Sequence, residues 1–393
     1  MPSKNDPRKA IVILGGSKSH KDFFKDAKDL GYLTIVFDKN KNCFCAKKGD
    51  LFFDYSYEDW KKIINTLNTL KNVEIKGILT YISQKKALIS TSKISKHFKT
   101  SRPSIQSIET IYNKKILYQL LSLNNIKTPK TFNIKETGKY YLDKSLKYPL
   151  IIKPKTSEGG NYMTKKVKSG QELRSLINKN TRLKHKNSFI FQEFISGEQY
   201  NVNGFVRKGK ISVFPILKKF THDDNYNFSH LGYTTLNKTD KNTTTQLAQE
   251  LKNIFIKLIK VTRVNNYFFS ADMIVSNGRF FVIDFGPLLD SKVDRLFKYE
   301  GINIYKLLIN IVTNKRPNYK ERVISKKILT LKFLYSYKKD LLINKHNLSK
   351  NSNLISIEKQ RIINKKFNLP YSVKESIGWI ISKEKNLFKN YKR

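Results

Sequence analysis

Apolar residues arrive in short runs broken by polar and glycine-containing segments, and their spacing shifts between two periods along the chain. Ala10-Ile-Val-Ile-Leu14 is an unbroken apolar run ending at Gly15-Gly16-Ser17, the pattern of a buried parallel strand entering a glycine turn. Helical spacing follows from His20 to Leu30, with Gly31 where a helix C-cap belongs, and Tyr32–Asp38 reads as the next strand. Strand, helix, strand in that order is a βαβ unit and predicts a parallel sheet. The alternation continues with a helix over Glu58–Leu70, a strand over Lys76–Thr80 and a helix over Gln84–Lys96. A helix over Ile111–Asn124 opens on Asn113-Lys114 and passes into extended Ile126–Phe132.

Beyond this point the signals turn antiparallel. Leu150-Ile-Ile152 is too short for a helix, Lys153-Pro154 ends it, and a glycine loop leads to a returning strand over Thr164–Val167. A helix over Gln171–Leu183 precedes a strand over Phe189–Ile195. Tyr200–Arg207 and Lys210–Leu217 form a hairpin about Lys208-Gly209. Lys218–Gly232 reads as a polar loop holding His222, Asp223, Asp224 and His230. Thr245–Val261 is an amphipathic helix, and Phe268–Val275 pairs with Arg279–Asp284 through Ser276-Asn277-Gly278, a strong hairpin signal.

Two groups of residues carry candidate chemistry. Lys153 beside Ser157, Gly159 and Gly160 suits a nucleotide polyphosphate, because glycine N–H groups wrap anions and the lysine neutralises them; an ordinary hairpin with surface lysines fits the same residues. Asp272 and Asp284 fall close to opposite one another when counted back from Asn277-Gly278. Two facing acids repel unless a cation lies between them, and Mg²⁺ bound to substrate phosphate is the usual answer; one acid facing solvent or an internal lysine is the alternative. Gly15-Gly16 with Asp38 has the start of a dinucleotide site but lacks the full glycine motif. The loop histidines His222 and His230 line an acceptor site or are simply solvated, the second being favoured.

Composition narrows the classes. The chain has 393 residues, 39% hydrophobic, which fits a globular protein of two or three domains. The net charge of +45 would ordinarily imply nucleic acid or an anionic membrane. Here the excess is mostly lysine spread along the chain with abundant Asn and Ile, which share A/T-rich codons, and no nucleic-acid module is recognisable. Cys43 and Cys45 are too close to bridge, which favours a reducing compartment. No apolar run reaches the ~18 residues of a membrane span. A soluble cytoplasmic protein is expected.

Five ordered segments resemble the ATP-grasp superfamily of carboxylate–amine ligases: Asn113-Lys114 with Ile126-Lys-Thr-Pro129; Tyr148–Pro154 with its glycine loop; Phe191-Gln-Glu-Phe-Ile-Ser-Gly-Glu198; Asp272; and Val282-Ile-Asp-Phe-Gly-Pro287. Glu375–Ser382 is similar to the closing strand of that superfamily. The resemblance implies an α/β and α+β architecture: a Rossmann-like pre-ATP-grasp domain over 1–110, a two-lobed ATP-grasp domain over 111–320 with a mobile lobe at about 150–197, and a C-terminal α+β segment over 321–393. It implies that Lys114 and Lys153 hold ATP phosphates under a lid of Ser157, Gly159 and Gly160. Glu193, Phe194 and Ile195 then face adenine, Glu198 takes the ribose, and Asp272 and Asp284 bind Mg²⁺, with Mn²⁺ as a second option. Arg295 is expected on a substrate carboxylate or phosphate, its alternative being an ion pair with Asp294 or Glu300. The implied activity joins a small carboxylate, activated as an acyl phosphate, to an amine; a homodimer is compatible with it, and no membrane or nucleic-acid partner is expected.

The sequence also departs from the family pattern. Gly286 and Leu288 stand where an amide and an arginine are common, Gln192 replaces a frequent glutamate, and Glu158 is an acid within the phosphate loop. Asp290, Lys292 and Asp294 are candidates for compensation. A nucleotide binder without ligation is therefore the alternative, and a basic nucleic-acid-binding protein is a more distant one.

Overall fold

The computed structural model describes residues 6–132, 147–156, 164–179, 189–223, 228–237, 241–290, 292–334, 354–359, 376 and 378–383. The chain opens with β1 (Arg8–Leu14), α1 (Lys21–Asp29), β2 (Leu33–Phe37), β3 (Leu51–Phe53), α2 (Trp60–Asn68), β4 (Val73–Thr80) and α3 (Lys85–His97). The four strands form the expected parallel sheet in the order β3-β2-β1-β4. Ala10–Leu14 are fully buried because helices cover both faces, which is why this strand shows no apolar–polar alternation.

Two helices follow, α4 (Ile105–Tyr112) and α5 (Lys114–Leu123). The single helix expected over Ile111–Asn124 is broken at Asn113, which takes an extended backbone, φ −99° and ψ 92°. Asn113 caps α5, its side chain accepting from the Ile116 N–H at 3.4 Å, and its backbone bridges to Thr156. The break allows the Lys114 N–H to donate to the Lys155 carbonyl at 2.9 Å, which seats the start of α5 against the next sheet.

That sheet consists of β5 (Thr131–Phe132), β6 (Leu150–Pro154), β7 (Lys165–Val167) and β8 (Phe189–Glu193), in the order β5-β8-β6-β7, with α6 (Gly170–Lys179) packed on it. Alternation along β6 sends Ile152 into a small core with Val167, Leu173 and Phe191, and Lys153 to the opposite face.

The largest sheet has nine strands. It is built from β9 (Glu198–Arg207), β10 (Lys210–Val213), β11 (Leu217–Asp223), β12 (Phe228–Thr235), β13 (Tyr267–Ser276), β14 (Arg279–Pro287), β15 (Thr330–Leu334), β16 (Leu354–Lys359) and β17 (Gly378–Ser382). Its order is β14-β13-β9-β11-β12-β15-β17-β16, with β10 beside β9, so the C-terminal strands extend the same sheet. Helix α7 (Lys241–Thr262) lies between β12 and β13, and α8 (Val293–Tyr299) and α9 (Ile304–Val312) follow β14. Gly197 permits the crossing from β8 into β9, because a Cβ there would lie 2.3 Å from the Val275 carbonyl oxygen.

A second expectation is corrected: the described residues of Lys218–Gly232, expected as a polar loop, belong to two paired antiparallel strands, Leu217–Asp223 and Phe228–Thr235. The apolar alternation that would have marked β11 is missing because Lys219, on its inner face, is a buried charge. Among the described residues, no helix is long and apolar enough to cross a membrane.

Candidate functional site

The two acids meet as the hairpin count requires, Asp272 of β13 facing Asp284 of β14. Immediately beside them the register slips, and Met273 pairs with Val282. Ile283 is therefore the extra residue of a β-bulge, the irregularity that re-aims groups next to a site. Its carbonyl accepts from two side chains, the Tyr118 hydroxyl at 2.5 Å and the Lys153 ammonium at 2.7 Å. Lys153 also donates to the Tyr118 hydroxyl at 2.7 Å, and its Nζ lies 4.9 Å from the Tyr118 ring centroid. Burial, reinforced by the nearby Lys114 charge, brings the Lys153 ammonium down to about 7.

Lys114 reaches the same place from α5 and pairs with Asp284 Oδ1. Desolvation pushes the Asp284 carboxyl up, but Lys114 and Lys153 outweigh it and hold it below the usual carboxylate range. The Asp284 side chain keeps 47% of its surface exposed, and its Oδ2 has no protein partner among the described residues. Lysines from two separate elements, α5 and β6, thus converge on neighbouring groups of β14, Lys114 on the half-open Asp284 carboxylate and Lys153 on the Ile283 carbonyl.

Asp272 is enclosed. Its Oδ1 accepts from Asn201 Nδ2 at 2.8 Å and its Oδ2 lies 2.5 Å from Lys219 Nζ. Lys219 also reaches Asp290 Oδ2 at 2.9 Å, which brings Asp290 into the cluster. Burial tends to raise the Asp290 carboxyl, and the Lys219 ammonium overcomes it and keeps the group ionised.

The donor set fits Mg²⁺ in the company of phosphate. Mg²⁺ takes one or two carboxylates plus phosphate oxygens rather than an all-protein cage. Asp284 offers an open oxygen, and among the described residues no group of three or more His, Cys, Asp or Glu could hold an ion alone. Gly286 supplies no ligand, but a Cβ built there meets nothing within 4 Å. Leu288, at the position expected for an arginine, is buried.

The other expected residues lie along β8 and β9. The Glu193 N–H donates to the Lys130 carbonyl at 3.0 Å, and its Oε1 accepts from the Lys130 N–H at 2.8 Å. The Phe194 N–H donates to the Pro149 carbonyl at 3.1 Å, with Lys166 Nζ 4.1 Å above its ring. Ile195 follows, half-buried. The N–H of Glu193 is thus engaged in holding β8 to the Lys130 segment. Glu198, more than half exposed, pairs with Lys218 and accepts from the Tyr200 hydroxyl at 2.6 Å. Ser157, Gly159 and Gly160 lie outside the described residues, as do Glu158 and Asp224.

Arg295 is an inter-element tie. Its Nη1 lies 3.1 Å from Asp22 Oδ2 on α1 and its Nε 3.2 Å from Asp294 Oδ2. The Asp294 pairing matches the alternative drawn from the sequence; the Asp22 partner was not foreseeable. His230 is a core residue rather than a solvated one, its ring 4.5 Å from the Tyr233 ring and 5.0 Å from that of Phe333. Asp38 accepts from the Gly16 N–H at 2.6 Å and so closes the N-terminal glycine turn on itself.

Tyr118, Lys219 and Asn201 were missed by sequence reasoning. Only Tyr118 left a trace: it stands four residues after Lys114, on the same face of α5.

Residues 111–289 match the profile of the ATP-grasp domain. No curated protein matches the sequence. Solved structures match over nearly the whole chain. The L-amino acid ligase from Bacillus licheniformis is 16% identical, with 99% of this chain and 97% of that one covered and a TM-score of 0.73. The phosphoribosylglycinamide synthetase from Anaerococcus prevotii is 19% identical, with coverages of 97% and 95% and a TM-score of 0.70. The N5-carboxyaminoimidazole synthetase from Staphylococcus aureus complexed with ADP is 15% identical, with coverages of 98% and 95% and a TM-score of 0.70.

Proposed function

We propose that this chain, an ATP-grasp protein through its residues 111–289, is an ATP- and Mg²⁺-dependent ligase that joins a small carboxylate to an amine. The observation that carries the reading is the convergence of Lys114 and Lys153 on the Asp284 strand from two different elements. That arrangement supports the reading because two lysines and an open carboxylate together suit a polyphosphate and its metal.

In this reading Lys114 and Lys153 hold the phosphates and the Glu193–Ile195 stretch faces the base, with Glu198 at the ribose. Of the Asp272/Asp284 pair, Asp284 would supply the open oxygen for Mg²⁺, which neutralises phosphate charge when bound, with Asp272 behind it engaged by Asn201 and Lys219. An acceptor carboxylate oxygen attacks the γ-phosphorus, the bond to the β-phosphate oxygen breaks, and ADP leaves. The amine nitrogen then attacks the acyl carbon and loses a proton, and inorganic phosphate departs with the electron pair of the carbon–oxygen bond. Lysines poised over the transferring group lower the cost of its charge without any side-chain nucleophile. The domain borders near 110 and 320, and a cytoplasmic setting, belong to the same proposal.

A second reading is nucleotide binding without ligation. It is favoured by Gly286 and Leu288, neither of which has a polar side chain to offer metal or substrate.

Thermal unfolding with ATP, with and without Mg²⁺, tests the reading, with Lys153→Ala alongside. A Mg²⁺-dependent rise in melting temperature that the variant loses is expected, followed by ADP release on screening carboxylate and amine pairs. A rise without ADP release for any pair favours the second reading, and no rise with any nucleotide overturns both.

A further inference from the structure

Three strands of the large sheet and the segment after β14 send side chains to a single point. Lys219 of β11 places Nζ 2.5 Å from Asp272 Oδ2 and 2.9 Å from Asp290 Oδ2. Asn201 of β9 donates to Asp272 Oδ1 at 2.8 Å and reaches Asp290 Oδ2 at 3.4 Å. Asn203, two residues along β9 and on the same face, donates to Asn201 Oδ1 and accepts from the Asp290 N–H at 3.3 Å. The amides fix the carboxylates so that both present an oxygen to the ammonium.

Two carboxylates closing on one cation is the arrangement a divalent ion makes, here built around a tethered lysine. A lysine buried to this depth is tolerated only when paired, and it is paired twice. The two facing acids are therefore not equivalent. Asp272 has both oxygens engaged within the protein, whereas Asp284 has one engaged and half its side chain exposed.

We propose that Lys219 is a resident cation of this site. It fills the position beside Asp272 and Asp290 that a divalent ion would otherwise take, so the nucleotide enters with one divalent ion, held by Asp284. The proposal rests on the nucleotide-site reading and divides the labour of its acid pair. Lys219 acts as a positioning residue: it fixes the segment after β14 through Asp290 and removes Asp272 from the metal's reach.

Counting bound Mn²⁺ by the loss of its free paramagnetic signal tests this on the full chain. Wild type is expected to bind one Mn²⁺ with ADP and none tightly without it. Lys219→Met is expected to gain one ion in both conditions, taken up by the vacated Asp272/Asp290 pair. Adding Asp290→Asn to that variant is expected to remove the extra ion. Equal counts for wild type and Lys219→Met overturn the proposal. So does a wild-type count of two with ADP, a measurement that stands if Lys219→Met fails to fold. Absence of ADP-dependent Mn²⁺ from wild type would count against the nucleotide reading, while the nucleotide-free comparison still decides the role of Lys219.

Discussion

The ammonium of Lys153 donates to the carbonyl of Ile283 at 2.7 Å, and the β-bulge at Ile283 is what presents that oxygen. A regular ladder would have paired Ile283 with β13. The bulge directs its carbonyl to Lys153 and Tyr118, so the strand that carries Asp284 also anchors the lysine expected on phosphate.

Tyr118→Phe removes one of the two acceptors of Lys153 while keeping the ring. A lost hydrogen bond to a charged group costs about 1.5–3 kcal/mol, so nucleotide affinity should fall by roughly tenfold or more, since each 1.4 kcal/mol is tenfold. Lys153 is charged below about 7, so nucleotide binding should weaken as pH rises through that value. With an acceptor of the charged form gone, the midpoint should move to lower pH. Titration calorimetry from pH 6 to 9 checks both effects; an unmoved midpoint would mean that Lys153 does not govern binding.

Gly286→Asn should be tolerated, because the added Cβ meets nothing within 4 Å. If this position faces the metal, the new amide strengthens Mg²⁺-dependent ADP binding severalfold, with the melting temperature close to that of wild type. Unchanged Mg²⁺ dependence in a folded variant would place Gly286 outside the metal's reach.

Arg295 and Asp22 tie α8 to α1, and Asn303 donates to Asp26 Oδ1 at 2.8 Å alongside them. In a double-mutant cycle, Arg295→Ala and Asp22→Ala should couple by about 1 kcal/mol. If Arg295 is only a tie, the two single variants should affect turnover alike. Turnover lost in Arg295→Ala and kept in Asp22→Ala would restore it to a substrate role.

Acid should destabilise the fold through two histidines. Burial lowers His20 to about 4 and His230 to about 3, against an ordinary value of 6.5. His20 Nε2 accepts from the Tyr81 N–H at 3.0 Å, a bond that needs the neutral ring. The unfolded chain binds these protons first, so the stability they contribute is present above about 6.5 and is lost as pH falls toward 4 and 3. At pH 5 the loss from His20 should be about 2 kcal/mol. Urea unfolding at pH 7 and pH 5 should show it, and His20→Asn should reduce the difference. A pH-independent midpoint would mean that His20 is not held neutral.

The sequence by itself determined the parallel start, the paired hairpins and the facing of Asp272 and Asp284. These follow from local rules: apolar runs choose a buried strand, a two-residue Asn-Gly turn sets a register, and a period of two sets which side chains share a face. It also determined the order of Lys114, Lys153 and the acids along the chain. Tertiary structure alone decided which cation each acid meets. Lys219 lies 53 residues from Asp272, and Lys114 lies 170 residues from Asp284, separations at which no local pattern operates. It also decided that Asn113 breaks a helix, because a bridge to Thr156 competes with helix continuation. And it turned a polar stretch into strands: β11 carries its buried charge inward, where two carboxylates from other segments neutralise it.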